Sequence, residues 1–273
     1  MAEHYVIIVG VLMLPLDRMY PTPNTDALNQ PCFAEVYPPS EDSFLFLDAL
    51  EADADFIRKL LRPVLSVEVG SGSGIISTFL SKIVDSACSF MCIDVSNQAC
   101  IATKQVFCAN TSCYPLDAVC CDLLSPIRKS SQGLADIVLF NPPYVPTTSG
   151  ELLNARSTIS AAWAGGFRGR QVRPSWFIKR DYLLSLCFLV LQRFVAERVI
   201  ERFIQQLTPV LFGSGVLYIL LLQQNEPDLV SKLINDASGG RLSRSVCIIQ
   251  RRCGNEQLFV YRYYDPLFYP DSY

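Results

Sequence analysis

An open α/β sheet, mostly parallel and covered by helices on both faces, is predicted by three stretches of this chain. The first is Ile137-Val138-Leu139-Phe140, a continuous apolar run that ends in Asn141-Pro142-Pro143-Tyr144. Such a run bounded by turn residues reads as a strand buried on both faces. The second is Leu65 to Val69, followed by Gly70-Ser71-Gly72-Ser73-Gly74 and then by apolar residues at helical spacing from Ile75 to Ile83. The third is Phe90 to Ile93, which ends on Asp94, 20 residues after Gly74. A strand, a glycine turn, a helix and an acid-terminated second strand make up the first half of a nucleotide-binding sheet.

Composition sets the outer limits. A chain of 273 residues, 50% of them hydrophobic, has enough apolar surface to bury one sizeable core. The net charge of −3 provides no overall basic field to recruit nucleic acid. The 11 cysteines are odd in number and include no C-x-x-C pair, and His4 is the single histidine. That pattern fits neither a disulfide framework nor a zinc site, so no metal is expected. Cys88, Cys92, Cys120 and Cys121 are expected to serve as small core residues in a reducing compartment.

In chain order, Tyr5 to Leu16 is an apolar run too short to span a bilayer and lacks the basic flank of a signal peptide. Met19 follows it, and a start there is the favoured expectation over an accessory segment. Residues 1–32 are thus expected to form a mobile N-terminal extension, with Pro, Thr, Asn and Asp dominating from Tyr20 to Pro31. Residues 33–264 would form one folded domain, with an atypical insertion at 173–198, and residues 265–273 a mobile tail. Ser40, Glu41 and Asp42 stand ahead of Phe44, Leu47 and Leu50, a helix start with acids in its first turn. That helix is expected to run to about Leu61 and stop before Pro63, with the Ser43 hydroxyl and Tyr37 ring available to a ligand.

The glycines allow backbone to approach a ligand closely, and the helix N-terminus behind them favours an anionic group. Their G-x-G-x-G spacing, with no basic residue nearby for a pyrophosphate, suits an adenosine that carries an amino-acid carboxylate, which points to S-adenosylmethionine. Asp94 would accept the ribose hydroxyls. A third strand, Ala118 to Cys121, would deliver Asp122 and Leu123 to the adenine. Pro142 and Pro143 cannot extend a ladder, so Asn141 must lie at the carboxyl end of its strand, where such sheets bind ligands. The Asn141 side-chain carbonyl and the Pro142 backbone carbonyl could hold both hydrogens of an –NH2 group, with Tyr144 flat against the plane that carries it.

With these motifs in view, the chain resembles the eukaryotic and archaeal branch of the HemK-like (PrmC-related) protein-glutamine methyltransferases. The resemblance rests on Val36 to Phe44 (V-Y-x-P-x-E-D-[ST]-F), on Glu68 to Gly74, on Asn141 to Tyr144, and on Ala162 to Arg170 (A-x-x-G-G-x-x-G-R). It implies a Rossmann-like, class I S-adenosylmethionine-dependent methyltransferase with a seven-stranded sheet, one strand reversed near its end. It also implies cofactor contacts at Ser43, Glu68, Gly70, Gly72, Asp94, Asp122, Leu123 and Asn141, and catalytic roles for Asn141, Pro142 and Tyr144. The implied substrate is the glutamine of the Gly-Gly-Gln loop of a class-1 translation termination factor, and the implied partner is a small zinc-binding activator subunit. The implied location is cytoplasmic, with the nucleus as a second compartment. The alternatives are transfer to an adenine amino group or a protein lysine, or an inactive cofactor-binding form.

That last alternative comes from one departure. Residues 173–198, with the apolar run Tyr182 to Leu191, stand where the family passes directly into a helix like Val199 to Ile204. A retained intron or mis-joined exon accounts for this insertion as well as an added helix does. Beyond it, Val216 to Leu222 reads as a strand after a Gly213-Ser214-Gly215 turn, and Glu226 to Ala237 as a helix. Ser245 to Gln250 and Gln257 to Tyr263 read as a closing strand pair around Gly254.

Overall fold

The computed structural model describes residues 20–84, 87–111, 114–125, 127, 133–143, 198–254 and 256–269. The 1–18 segment, Tyr144, the 162–170 loop and most of the 173–198 insertion fall outside them. Seven strands form one sheet: β1 Leu65–Val69, β2 Ser89–Asp94, β3 Leu116–Cys120, β4 Ala135–Phe140, β5 Leu211–Leu222, β6 Arg244–Cys253 and β7 Glu256–Tyr264. Their spatial order is β3-β2-β1-β4-β5-β7-β6. β1 to β5 pair in parallel, and β7 runs antiparallel to both β5 and β6. The predicted single reversed strand is therefore β7.

Side chains alternate along the central strands and feed two cores. Ile137 and Leu139 of β4 join Val216, Tyr218 and Leu220 of β5 under α1 (Glu41–Ala52) and α2 (Ile75–Ile83). Val138 and Phe140 face the other way with Val67, Leu217 and Ile219. There they meet the helical residues 198–207 (α4), of which Phe203 stacks on Phe140 at 4.2 Å, and α5 (Pro227–Ala237). β4 reads as an unbroken apolar run because both of its faces are buried. At the foot of the sheet the Asp136 carboxylate accepts the Val64 and Leu65 N–H groups at 2.8 and 2.9 Å, which fixes β1 against β4.

Five expectations change. Residues 20–33 are not a loose arm. They form 3-10 turns at Asp26–Asn29 and Pro31–Phe33 and lie against the body of the domain. The Tyr20 N–H donates to Glu51, its ring meets Phe79 edge-on, and Asn24 exchanges hydrogen bonds with Asn110 of α3 (Asn97–Asn110). The helix expected to reach Leu61 is regular only to Ala52; Phe56–Leu61 widen into a π-helical turn, and Arg62 takes a left-handed conformation just before Pro63. Between these two pieces Asp53 is drawn inward to Arg262 and Tyr218.

Gly213-Ser214-Gly215 is no turn but part of β5, which is irregular in register between Ala135 and Ile137 of its partner. A Cβ on Gly215 would stand 2.7 Å from the Ala135 carbonyl oxygen, so the glycine allows strand contact there. The tail is docked as far as Tyr269, whose hydroxyl donates to the Ser214 carbonyl and whose ring packs on Phe56 and Tyr264. Among the cysteines, Cys88 and Cys92 are buried as expected, whereas Cys120 is exposed and Cys121 half-buried, because β3 is an edge strand. No helix among the described residues is long and apolar enough to cross a membrane.

Candidate active site

The strand order reverses between β1 and β4, and in open α/β sheets such a switch point opens a crevice at the carboxyl edge. Val69 pairs with Phe140, so the glycine turn after β1 and Asn141 after β4 emerge side by side. A Cβ on Gly70 would lie 3.8 Å from the Asn141 carbonyl oxygen. Gly70, Gly72 and Gly74 all have positive φ. Gly74 has a further constraint, since a Cβ would meet Thr103 Cα at 2.7 Å where α2 and α3 close together. Nothing lies within 4 Å of a Cβ position on Gly72, so the crest of the turn faces open space.

Asp94 holds this turn in shape. Its Oδ2 accepts the Gly72 N–H at 2.9 Å and its Oδ1 accepts the Ser96 N–H at 2.8 Å. Burial raises its pKa, against the pull of those backbone donors. Glu68 lies beneath the turn, 2% exposed, with Oε2 accepting the Ser77 N–H in the first turn of α2 at 3.0 Å. Burial pushes its carboxyl up to about 7. Glu68 thus braces the start of α2 from beneath the glycine turn.

Three further residues expected at the cofactor also have defined places in the fold. The Asp122 carboxylate pairs with Arg202 of α4 at a half-exposed position. Leu123 is buried with φ 51°, a conformation that turns the chain sharply beyond β3. Ser43 is buried in the first turn of α1, where its Oγ accepts the Ser40 N–H at 3.3 Å as half of a capping box.

The sequence reading passed over Asp42. It is 5% exposed, and its Oδ2 accepts a hydrogen bond from Asn141 Nδ2 at 2.7 Å, while Oδ1 accepts from the Tyr37 hydroxyl at 3.2 Å. The helix start and the strand end, 99 residues apart, therefore meet at one amide. Acids in a first helical turn are ordinary, so the only available signal was the unusual run of two acids beside Tyr37. Pro142 is buried next to Asn141.

Together these groups can seat an adenosyl ligand on the glycine turn and place two acceptors beside it, one at Asn141 and one at the Pro142 carbonyl. No family model matches the chain. The methyltransferase HEMK2 of Mus musculus is 30% identical over 243 residues, which covers 89% of this chain and 96% of that protein. The eRF1 methyltransferase catalytic subunit mtq2 of Schizosaccharomyces pombe is 30% identical over 255 residues, covering 90% and 96%. Among solved structures, the E. cuniculi Mtq2–Trm112 complex, described as responsible for methylating the eRF1 translation termination factor, shares the fold with a TM-score of 0.50. It is 22% identical and covers 85% of this chain and 99% of that one.

Proposed function

Because this chain belongs to the family of the methyltransferase HEMK2 and the eRF1 methyltransferase catalytic subunits, we propose that it methylates a glutamine side-chain amide in a class-1 translation termination factor. The observation that carries this reading is Asn141, held at the end of β4 directly beside the Gly70 turn. The cofactor would be S-adenosylmethionine, which supplies an electrophilic methyl group when bound.

The crevice fits that ligand. The open crest at Gly72 and the N-terminus of α2 suit a carboxylate, and Asp94, already at the rim, suits ribose hydroxyls. Ser43, Glu68, Gly70, Gly72, Asp94, Asp122, Leu123 and Asn141 line or support the site in this reading, Asp122 being also paired with Arg202. An amide nitrogen is a poor nucleophile because its lone pair is delocalised. The Asn141 and Pro142 carbonyls would hold its two hydrogens, orient the nitrogen and favour the positive charge that develops on it. Tyr144, next in the motif, would stack on the amide plane. The proton lost after transfer can pass to solvent.

The partner in this proposal is a small zinc-binding activator subunit that adds a strand to β3, the exposed edge of the parallel half of the sheet. The compartment in this proposal is the cytoplasm, with the nucleus as a second one. The test is to co-express chain and activator, then incubate them with labelled cofactor and each of three acceptors: termination factor, DNA and a lysine-rich protein. Label appearing in the factor, and vanishing when its loop glutamine is replaced, is the expected result. Label in DNA or in lysine alone would overturn the proposal, and label in none would point to the inactive form.

A further inference from the structure

We propose that Asp42 is a positioning residue that acts through Asn141, fixing which face of that amide a substrate meets. This deepens the glutamine-methylation reading and rests on it. A carboxylate has only acceptors, so the 2.7 Å contact with Asp42 must be made by the Asn141 –NH2 group. An amide is planar, and with its nitrogen turned toward α1 its oxygen is turned away from the Asp42 carboxylate. The flip state of Asn141 is thereby chosen by a residue on another element. Loss of that partner removes a contact that favours this orientation, and in the opposite one a donor confronts the substrate –NH2.

The contact also has an electronic effect. A hydrogen bond from Nδ2 to a carboxylate polarises the amide and concentrates negative charge on Oδ1. That oxygen then interacts more favourably with the positive charge that grows on the substrate nitrogen during transfer than with the neutral ground state. Gains of this kind appear in turnover more than in binding.

Asp42 is itself held on two sides. α1 begins with a capping box at Ser40 and Ser43 that sets the first turn. The Tyr37 hydroxyl donates to Oδ1 at 3.2 Å, and burial, reinforced by the adjacent Asp42, pushes that hydroxyl up to about 12, so it remains a donor at any working pH. An acid needed only for the helix dipole would do its work exposed in the first turn. This one is 5% exposed and reaches a residue on β4's end.

The experiment compares wild type, D42A, D42N, N141A and D42A/N141A as complexes with the activator. Turnover on termination factor and cofactor affinity by calorimetry are the readouts, with the side-chain amide resonance of Asn141 as a third. D42A is expected to lower kcat by about 10- to 100-fold, the range set by one charge-assisted hydrogen bond, while cofactor affinity changes by less than about threefold. D42N still presents a carbonyl acceptor and should recover part of the loss. D42A added to N141A should cost nothing further, because the two residues act as one unit.

Equal losses in kcat and cofactor affinity would make Asp42 a cofactor contact and overturn the inference, as would additive losses in the double variant. Should D42A fail to fold, near-isosteric D42N carries the same comparison. The amide resonance separates this idea from the function it rests on. If wild type leaves glutamine unmethylated the function fails, yet an Asn141 –NH2 signal that moves in D42N still supports the positioning contact, and one that stays put removes it.

Discussion

At Glu68, burial and hydrogen bonding pull in opposite directions, and burial prevails. The carboxyl has an ordinary value of 4.5 and is raised to about 7 in the fold, with the Ser77 contacts pulling it back down. Below about pH 4.5 the group is protonated in both folded and unfolded chains and has no differential effect. Between 4.5 and 7 the unfolded chain gives up the proton while the folded chain keeps it, so stability falls as pH rises through that window and levels off above it. The full difference is on the order of 3 kcal/mol. E68Q can still accept the Ser77 N–H without carrying a charge. Its melting temperature relative to wild type should therefore rise between pH 5 and pH 8; a difference that stays constant would place the titration elsewhere. Asp94 and Asn141 should separate by readout. D94A should weaken cofactor binding by the equivalent of about 1–3 kcal/mol, seen by calorimetry. N141A should reduce turnover far more than cofactor affinity.

At the scale of elements, β4 and the glycine turn were legible because hydrophobic run, proline stop and glycine spacing are all local signals. The reversal of β7 also agrees with the single reversed strand that the resemblance implied. What escaped were contacts made across the fold. Nothing local marks Asp53 as the residue that breaks α1, because its reason lies 209 residues away. The Asp53 carboxylate takes Arg262 Nη1 at 2.6 and 2.7 Å and the Tyr218 hydroxyl at 2.5 Å, and the guanidinium lies 3.7 Å from the Phe56 ring centre. Burial raises the Asp53 pKa, and the adjacent Arg262 is the largest influence that lowers it. Gly213 to Gly215 misled for the same reason, since glycine marks a turn and a close strand contact alike. Because one partner cannot be left charged and alone, D53A should cost about 3–5 kcal/mol in chemical denaturation. Replacing both partners with apolar residues of similar size should cost much less, and equal losses would show that packing alone is responsible.

At the scale of the whole molecule, the sheet has two exposed edges with different protection. β6 carries Arg244, Arg251 and Arg252, and Arg251 is tied to Asp48 at 2.7 Å, so charge and an ion pair discourage a further strand. β3 is five residues long, pairs among the described residues only with β2, and is covered on one side by α3, where Lys104 approaches Asp117 at 3.8 Å. Beside it Val95 and Ile101 are 54% and 43% exposed, apolar side chains on the two segments that flank the edge. An unpaired edge next to uncovered apolar groups favours strand addition by a partner, which is the place proposed for the activator. Co-expression with the activator should therefore raise soluble yield and melting temperature. V95E, placed outside the core, should weaken that complex while leaving the melting temperature of the free chain nearly unchanged. A free chain as soluble and as stable as the complex, or a V95E variant that binds the activator undiminished, would put the partner on another surface.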